Sequence, residues 1–261
     1  MKTTPFTLLI VGLLASAGAR ADIFDLFKPK PAPAGTTTAA ASLAGLSQDQ
    51  MVGGLKEALS KGVQQAVSNL GKPDGFLADL KVRIPMPDNL QKVEKTLRML
   101  RQDQLAEEFV ATMNRAAEQA VPQAAAVLGD SVKQMSIADA RSILTGTNNA
   151  ATQYFRRTSE TNLYSKFLPI VSAATDKAGV TAAYKRMAEK ASGGLGGFAG
   201  VGAGLLGKEM PDLDGYVTHK ALDGLFLKIA DQEKLIRENP AARTTDLLKT
   251  VFGNLTKEPG K

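Results

Sequence analysis

The chain has 261 residues, a formal net charge of +6, one histidine and no cysteine. Without cysteine it has no disulfide, thiol nucleophile or thiolate metal ligand, and a single histidine excludes a multi-histidine zinc site. Aromatic residues make up only 5% of the chain and tryptophan is absent, so few side chains can stack on bases. We therefore predict no cofactor, no metal site and no nucleic-acid partner. The basic excess favours attraction to anionic envelope surfaces, without localising it.

The first residues, MKTTPFTLLIVGLLASAGARA, have the order of a secretory signal peptide. Lys2 precedes an apolar run over residues 6–15, and residues 19–21 form an A-x-A cleavage site. The apolar run is too short to cross a bilayer, and no cysteine follows the cleavage point to accept a lipid. We predict a signal peptide over residues 1–21, a mature chain beginning at Asp22, and a soluble, non-lipoprotein location in the periplasm of a Gram-negative bacterium.

Residues 22–45 are predicted to be a flexible linker, and residues 46–261 a helical domain. The linker includes KPKPAPAGTTTAAASLAG, which is rich in Pro, Ala and Thr and lacks a sustained apolar face. Ser47 and Gln50 then form an S-x-x-Q capping box in front of apolar residues at helical spacing. We expect the first helix to end at Leu70, before Gly71.

Helical spacing continues along the rest of the chain, which predicts an all-α fold of many helices. The stretch LKVRIPMPDN is too rich in proline for a helix and is predicted to be extended chain or a short edge strand. The later helices are predicted from Asp88 to about Leu100, around 105–117, and over 122–133, 136–144, 149–157, 159–177, 181–191, 214–239 and 245–252. Asp88 is expected to cap the first of these, Ser136 and Asp139 to form a second capping box, Pro122 to restart a helix, and Pro169 to distort one.

The glycine-rich stretch GVGAGLLGKE, residues 200–209, matches two phosphate-binding patterns by spacing alone. A phosphate loop needs a preceding strand, a following helix and a Ser or Thr after its lysine. Here Glu209 follows Lys208, and Pro211 opposes a helix start. We interpret the match as a coincidence, and we favour a flexible insertion over residues 193–207 above a functional lid.

His219 lies close in sequence to Asp212, Asp214 and Asp223, which raises the hypothesis of a metal or acid–base site. The D-x-D-G fragment lacks the glutamate that a calcium loop requires six residues after its glycine. We instead expect Asp214 to be a helix N-cap, Asp212 to be a favourable charge near that helix start, and His219 to contact Asp223 one turn later. This favours a structural or solvent-facing histidine over a catalytic one.

The last long helix carries Glu233 and Arg237 at i,i+4 spacing, which predicts an exposed ion pair worth a few tenths of a kcal/mol. NPAAR, ending at Arg243, is predicted to be a structural turn rather than an anion site. No catalytic residue is assigned. The candidate functional residues are His219, Asp214, Tyr216, Arg237 and Arg243.

Three stretches together, AATQYFRRTSETNLYSKFLPIV, DLDGYVTHKALDGLF and QEKLIRENPAARTTDLLKTVFG, resemble an uncharacterised family of exported bacterial proteins, domain of unknown function 4197. The resemblance covers about residues 46–255. It implies a helical envelope domain and brings no activity, cofactor or catalytic residue.

Three hypotheses for function stay open at this point. The first is a non-enzymatic envelope module that interacts with a protein, cell-wall material or membrane, with no transmembrane segment after cleavage. The second is a carrier that holds an apolar or lipid ligand between helices. The third is a hydrolase that uses His219 or a pair of carboxylates, which requires those groups to converge in one cleft.

Overall fold

The computed structural model describes residues 47–177, 186, 212–243, 249 and 251–252. These residues define the bounds of seven α-helices, and no strand occurs among them, which confirms the all-α prediction. The helices are α1 (Gln48–Leu70), α2 (Gln91–Met99), α3 (Asp103–Ala120), α4 (Ala124–Gln134), α5 (Ile137–Thr145), α6 (Ala150–Lys177) and α7 (Leu213–Glu238). Short 3-10 turns occupy Asp88–Leu90, Val121–Gln123 and Pro240–Ala242.

Two predicted capping boxes fix the starts of α1 and α5. The Ser47 hydroxyl accepts from the Gln50 amide at 3.1 Å, and the Gln50 side chain accepts from the Ser47 amide at 3.0 Å. The same reciprocal bonds join Ser136 and Asp139, at 3.1 and 3.2 Å. Gly71 ends α1 as predicted. Each box satisfies amides that the first turn of a helix leaves unpaired.

The predicted cap at Asp88 is wrong. Pro87 is the last extended residue, and the chain enters a 3-10 turn at Asp88, so the N-cap of α2 falls on Leu90, which makes no side-chain cap bond. The Asp88 carboxylate accepts instead from the side chain of Gln91 at 2.7 Å. The expected interruption at Pro122 is confirmed, since it lies in the 3-10 turn between α3 and α4.

Helix α6 is continuous over 28 residues, so the predicted break near Thr158 is wrong. The hydroxyl of Thr158 donates back to the Tyr154 carbonyl at 2.9 Å, and that of Ser159 contacts Ser131, so neither starts a new helix. Pro169 lies inside the helix on its exposed side. Because proline has no amide hydrogen, the carbonyl four residues before it has no helical donor, and water can satisfy that carbonyl on the exposed side.

The core lies where α6 and α7 meet each other and the surrounding helices. Helix α7 packs against α6, α1 and α3, and α6 also packs against α3, α4 and α5. The largest side chains buried almost completely include five phenylalanines, Phe76, Phe109, Phe155, Phe167 and Phe226. None of the helices with described bounds combines the length and apolar character needed to cross a bilayer.

Residues 71–87 cross the bundle surface as turns and extended chain, and side chains of α3 hold them. The Asn114 side chain accepts from the Ile84 amide at 2.8 Å and donates to the Ile84 carbonyl at 2.9 Å. One oxygen of Glu118 accepts from the Phe76 amide at 3.1 Å. The stretch LKVRIPMPDN is therefore non-helical up to Pro87, as predicted, and it pairs with side chains rather than with a strand.

Several predictions concern residues outside those described. The glycine-rich residues 193–207 and the phosphate-loop match lie there entirely, as does the helix predicted over 181–191 except for Arg186. Arg186 is helical, and its guanidinium donates to Glu108 at 2.8 Å. Of the helix predicted over 245–252, the described positions Lys249, Val251 and Phe252 are helical.

Candidate binding cleft between α6 and α7

An open cleft of about 450 Å³ lies between residues 81–85, the start of α6 and the middle of α7. Four cations and one carboxylate line it: Lys81, Arg83, Arg156, Lys220 and Asp223. Three of these cations already have carboxylate partners: Lys81 pairs with Asp231, Arg83 with Glu107, and Arg156 with both Glu160 and Asp223. Among the described residues, Lys220 has none. We call it the Arg156 cleft, because the guanidinium of Arg156 links its two helical walls.

Three contacts hold Arg156 in place. Its guanidinium lies over the ring of Phe226, 4.5 Å from the centroid, and Phe226 is itself buried. Its Nη1 donates to Glu160 at 2.9 Å and its Nη2 to Asp223 at 3.2 Å. A cation stacked on a ring and bonded from both sides loses little further freedom when it binds a ligand. Arg156 is therefore held in one orientation in the cleft, with its charge shared between two carboxylates.

Gly224 allows the non-helical wall to approach α7. A Cβ atom at this position would lie 2.7 Å from Cε1 of Phe76 and 3.2 Å from Cβ of Val82. Both distances are shorter than ordinary carbon contacts. The absence of a side chain at Gly224 thus sets the spacing between residues 76–82 and α7, and with it the floor of the cleft.

Lys220 lines the end of the cleft nearer the start of α7, and Tyr216 lies one turn before it on the same helix. The Tyr216 hydroxyl donates to the Pro85 carbonyl at 3.1 Å, and burial, with a smaller effect of Asp88, raises the pKa of Tyr216. Tyr216 therefore remains a neutral donor that ties α7 to the extended segment. The ammonium of Lys220 lies 5.8 Å from the centre of the Tyr216 ring. Among the described residues Lys220 has no carboxylate partner, so its charge is available to a ligand.

A larger groove, about 690 Å³, lies on the other side of the extended segment, but its arginines are already paired. Arg98 donates to Glu94 at 2.7 Å, Glu107 at 2.9 Å and Asp103 at 3.2 Å, and Arg83 donates to Glu107 at 2.8 Å. The hydrogen bond from Arg98, with a smaller one from Arg83, lowers the pKa of Glu107. Arg98 and Arg83 thus form an ion-pair network in this Arg98 groove. The Arg156 cleft differs in that its arginine also stacks on the buried ring of Phe226, and we assign the candidate site there.

A family model described as a protein of unknown function (DUF4197) matches residues 45–253. The chain belongs to the DUF4197 family. Neither the curated proteins nor the solved structures contain a match to it. The family description carries no activity, so the interpretation of this DUF4197 domain depends on its own side chains.

The three aspartates near His219 do not converge in the DUF4197 domain. Asp212, not Asp214, is the N-cap of α7 and accepts from the Gly215 amide at 2.8 Å. Asp214 lies within the first turn and accepts from the Thr175 hydroxyl at 2.7 Å. Asp212 is the last residue before the helix, so its side chain reaches the free amides, which corrects the predicted assignment. No group of acidic or histidine side chains suited to a metal occurs in the described parts of the chain.

His219 is exposed, and its ring centre lies 4.7 Å from that of Tyr164. The predicted contact with Asp223 is wrong, because Asp223 pairs with Arg156 across the helix interface. In the described residues His219 makes no hydrogen bond to a hydroxyl or a carboxylate, so the geometry gives the hydrolase hypothesis no support.

Arg237 and Glu233 form the predicted pair, but the prediction that it is exposed is wrong. Their side chains are only 11% and 4% exposed, and the closest atoms are 2.9 Å apart. The Glu233 carboxylate also accepts from the amides of Ala151 and Thr152, both at 3.0 Å, at the start of α6. Arg237 donates to the Ile143 carbonyl of α5 at 2.8 Å. The pair is buried because α7 passes beneath the junction of α5 and α6.

Arg243 is buried and structural, in line with the turn predicted for NPAAR. Its guanidinium donates to the carbonyls of Ile236 at 3.1 Å and Arg237 at 2.8 Å, in the last turn of α7. Burial lowers the pKa of Arg243. The negative end of the helix dipole and these two carbonyls stabilise the buried cation. Arg243 therefore caps a helix.

Sequence reasoning did not single out the four cations of the candidate site, Lys81, Arg83, Arg156 and Lys220. They come from three separate parts of the chain, and the resemblance assigns no role to the stretches that contain Arg156 and Lys220. Glu160, four residues after Arg156, was the only local signal, and it indicates a helix-surface pair.

The carrier hypothesis remains a prediction, and the tightly buried phenylalanines between the described helices do not favour it.

Proposed function

We propose that the protein is a non-enzymatic binding module of the bacterial cell envelope that binds anionic groups through the Arg156 cleft. The observation that carries the proposal is the ammonium of Lys220, which has no carboxylate partner among the described residues and lies in the same cleft as the stacked guanidinium of Arg156. An uncompensated charge in a concave surface attracts ligands of the opposite sign. The stacked guanidinium of Arg156 and the unpaired ammonium of Lys220 are the groups that we expect to contact the ligand.

The envelope location in this proposal comes from the signal-peptide pattern of residues 1–21. The Pro- and Ala-rich residues that follow would separate the binding module from the site of export. We expect the mature protein to begin at Asp22 and to appear in the periplasmic fraction. N-terminal sequencing of the exported protein tests this, and a chain that retains Met1 in the cytoplasm would contradict it.

Binding is tested by sedimentation of the purified mature protein with isolated cell envelopes at increasing salt. We expect low-salt binding that weakens as salt screens the charges. The double variant Lys81→Gln/Lys220→Gln should bind about 30-fold more weakly, at ~1 kcal/mol per lysine near an anionic surface. Lys166→Gln is the matched control, because Lys166 is an exposed lysine of α6 that lines neither this cleft nor the Arg98 groove. Absent sedimentation, or equal losses in both variants, would refute the proposed function.

A further inference from the structure

Arg83 lies between the Arg156 cleft and the Arg98 groove and lines both of them. Its guanidinium donates at 2.8 Å to Glu107, which lines the Arg98 groove but not the cleft. The side chain of Arg83 is 34% exposed and that of Glu107 is 49% exposed, so water reaches the pair. The Arg156 cleft thus contains an arginine whose charge is bound to a carboxylate of the neighbouring groove.

The backbone on both sides of Arg83 is fixed, so a change at this position is confined to the side chain. Val82 and Ile84 are buried. The Arg83 amide donates to the Asp79 carbonyl at 2.8 Å, and the side chain of Asn114 bonds to both the amide and the carbonyl of Ile84. Rotation about the side-chain bonds of Arg83 can therefore turn its guanidinium from one groove toward the other without moving the wall between them.

Glu107 keeps a cation when Arg83 turns away. Arg83 donates to Oε2 of Glu107, whereas Arg98 donates to Oε1 at 2.9 Å. The hydrogen bond from Arg98 is also the larger cause of the lowered pKa of Glu107. Ion pairs that water reaches contribute little, and a carboxylate that retains one partner avoids the penalty of an unpaired charge. Release of Arg83 from Glu107 is therefore a low-cost change.

An anion in the cleft offers Arg83 a second partner. Lys220 lines the same cleft and has no carboxylate partner among the described residues, so an anion that binds Lys220 brings negative charge to the cavity that Arg83 lines. Guanidinium groups bind carboxylate and phosphate oxygens through parallel hydrogen bonds. Glu107 and the bound anion thus compete for one arginine.

We propose that Arg83 is a ligand-binding residue of the Arg156 cleft, and that Glu107 competes with the ligand for it. In the unliganded protein Glu107 holds the guanidinium of Arg83, and when an anionic group enters the cleft, Arg83 leaves Glu107 and binds that group. The contact between Arg83 and Glu107 is therefore autoinhibitory, because it must break before the cleft reaches its full affinity. The inference rests on the proposed function and adds a third contact residue to Arg156 and Lys220.

Sedimentation with isolated cell envelopes tests the proposal through two matched substitutions. Glu107→Gln keeps the size of the side chain and releases Arg83, so it should strengthen envelope binding about fivefold, the effect of one more cation beside an anionic surface. Glu94→Gln is the control, because it removes the same charge from the same groove but releases Arg98 rather than Arg83. This control should change binding less than about twofold, since salt screens a distant charge.

A double-variant cycle identifies Arg83 as the residue that is released. In a chain that carries Arg83→Gln, the further substitution Glu107→Gln should strengthen binding less than about twofold, because no arginine remains for it to release. Far-UV circular dichroism should show the same helical content in all these variants, since the pair is partly exposed and contributes little to the fold. A change in binding then reports on the cleft and not on unfolding.

Two results would overturn the proposal. In the first, Glu94→Gln strengthens envelope binding as much as Glu107→Gln does, or neither strengthens it. In the second, the gain from Glu107→Gln persists in the chain without Arg83. If binding still depends on Lys81 and Lys220 in either case, the proposed function stands and Arg83 is a structural residue of the Arg98 groove. If the unmodified protein does not sediment with envelopes, the proposed function and this inference fall together.

Discussion

Removing the side chain of Arg237 should destabilise the protein far more than its sequence context indicates. The guanidinium donates to Glu233 through Nε at 3.2 Å and Nη2 at 2.9 Å, and to the Ile143 carbonyl at 2.8 Å. Arg237→Ala would leave the carboxylate of Glu233, only 4% exposed, without its cation. Breaking one side of a buried pair costs about 3–5 kcal/mol, and we expect a loss of this size in the free energy of unfolding.

Equilibrium unfolding in guanidinium chloride, followed by far-UV circular dichroism, measures the effect. Lys234→Ala is the matched control on the same helix, since Lys234 is 61% exposed and lies 4.0 Å from Glu238. That variant should lose less than ~0.5 kcal/mol, because exposed pairs contribute little. The denaturant slope should stay the same in both variants, so that the midpoints report stability.

A double variant separates charge from packing. Glu233→Gln removes the buried negative charge but keeps an oxygen that can accept from the amides of Ala151 and Thr152. The double variant Glu233→Gln/Arg237→Ala should therefore lose less than the sum of its two single variants. If Arg237→Ala falls within ~1 kcal/mol of Lys234→Ala, the pair is a surface pair and the reasoning from burial is wrong.

Three further predictions concern other positions, each measured by denaturant or thermal unfolding. Gly224→Ala should lower the free energy of unfolding by about 1–2 kcal/mol, because the new Cβ would lie 2.7 Å from the buried ring of Phe76. Gly129→Ala is the control: a Cβ there has nothing within 4 Å, so the variant should be neutral or more stable by up to ~1 kcal/mol. Equal effects of the two substitutions would contradict the steric argument. Hydrogen bonds from Arg98 and Arg83 lower the pKa of Glu107 below its usual 4.5. The stability that ionised Glu107 adds to the fold is therefore fully present above pH 4.5 and is lost as the pH falls through the lowered pKa. The stability difference from Glu107→Gln should shrink on acidification, and one that grows would refute this. Thr218→Val should stabilise the protein by about 1 kcal/mol, because the buried Thr218 hydroxyl has no hydrogen-bond partner in the described structure; a loss of similar size would show that the hydroxyl is satisfied.

Features that depend on neighbours in the chain were predictable from sequence. The capping boxes of Ser47 and Ser136 involve residues only three positions apart, so their geometry follows once a helix begins. Helix continuity was less predictable at Thr158, because a hydroxyl can cap a new helix or bond back to the carbonyl of the preceding turn. Here it bonds back, to Tyr154. Local rules thus identified the fold class and most helices, but they placed a false break at Thr158 and the wrong N-caps at Asp88 and Asp214.

The candidate site required information that neighbouring residues do not carry. The i,i+4 spacing of Glu233 and Arg237 is the same on a buried face as on an exposed one. Only the contacts of the pair with the start of α6 and with the Ile143 carbonyl of α5 distinguish the two cases. Likewise, Arg156 and Asp223 meet across 67 positions of sequence. Charges that become neighbours only after folding have no spacing to recognise, so the cleft could be found only from the structure.

The position of α7 in the chain has a consequence for how the molecule is made. It is the last helix whose bounds are described, yet α6, α1 and α3 all pack against it. A ribosome releases the other six helices first, so the surfaces of α1, α3 and α6 that pack against α7 stay open to water until residues 213–238 emerge. Nor is the Glu233 carboxylate present before then to cap α6. We expect nascent chains that end before residue 213 to remain loosely collapsed and prone to aggregation, with cooperative folding beginning only when synthesis is nearly complete.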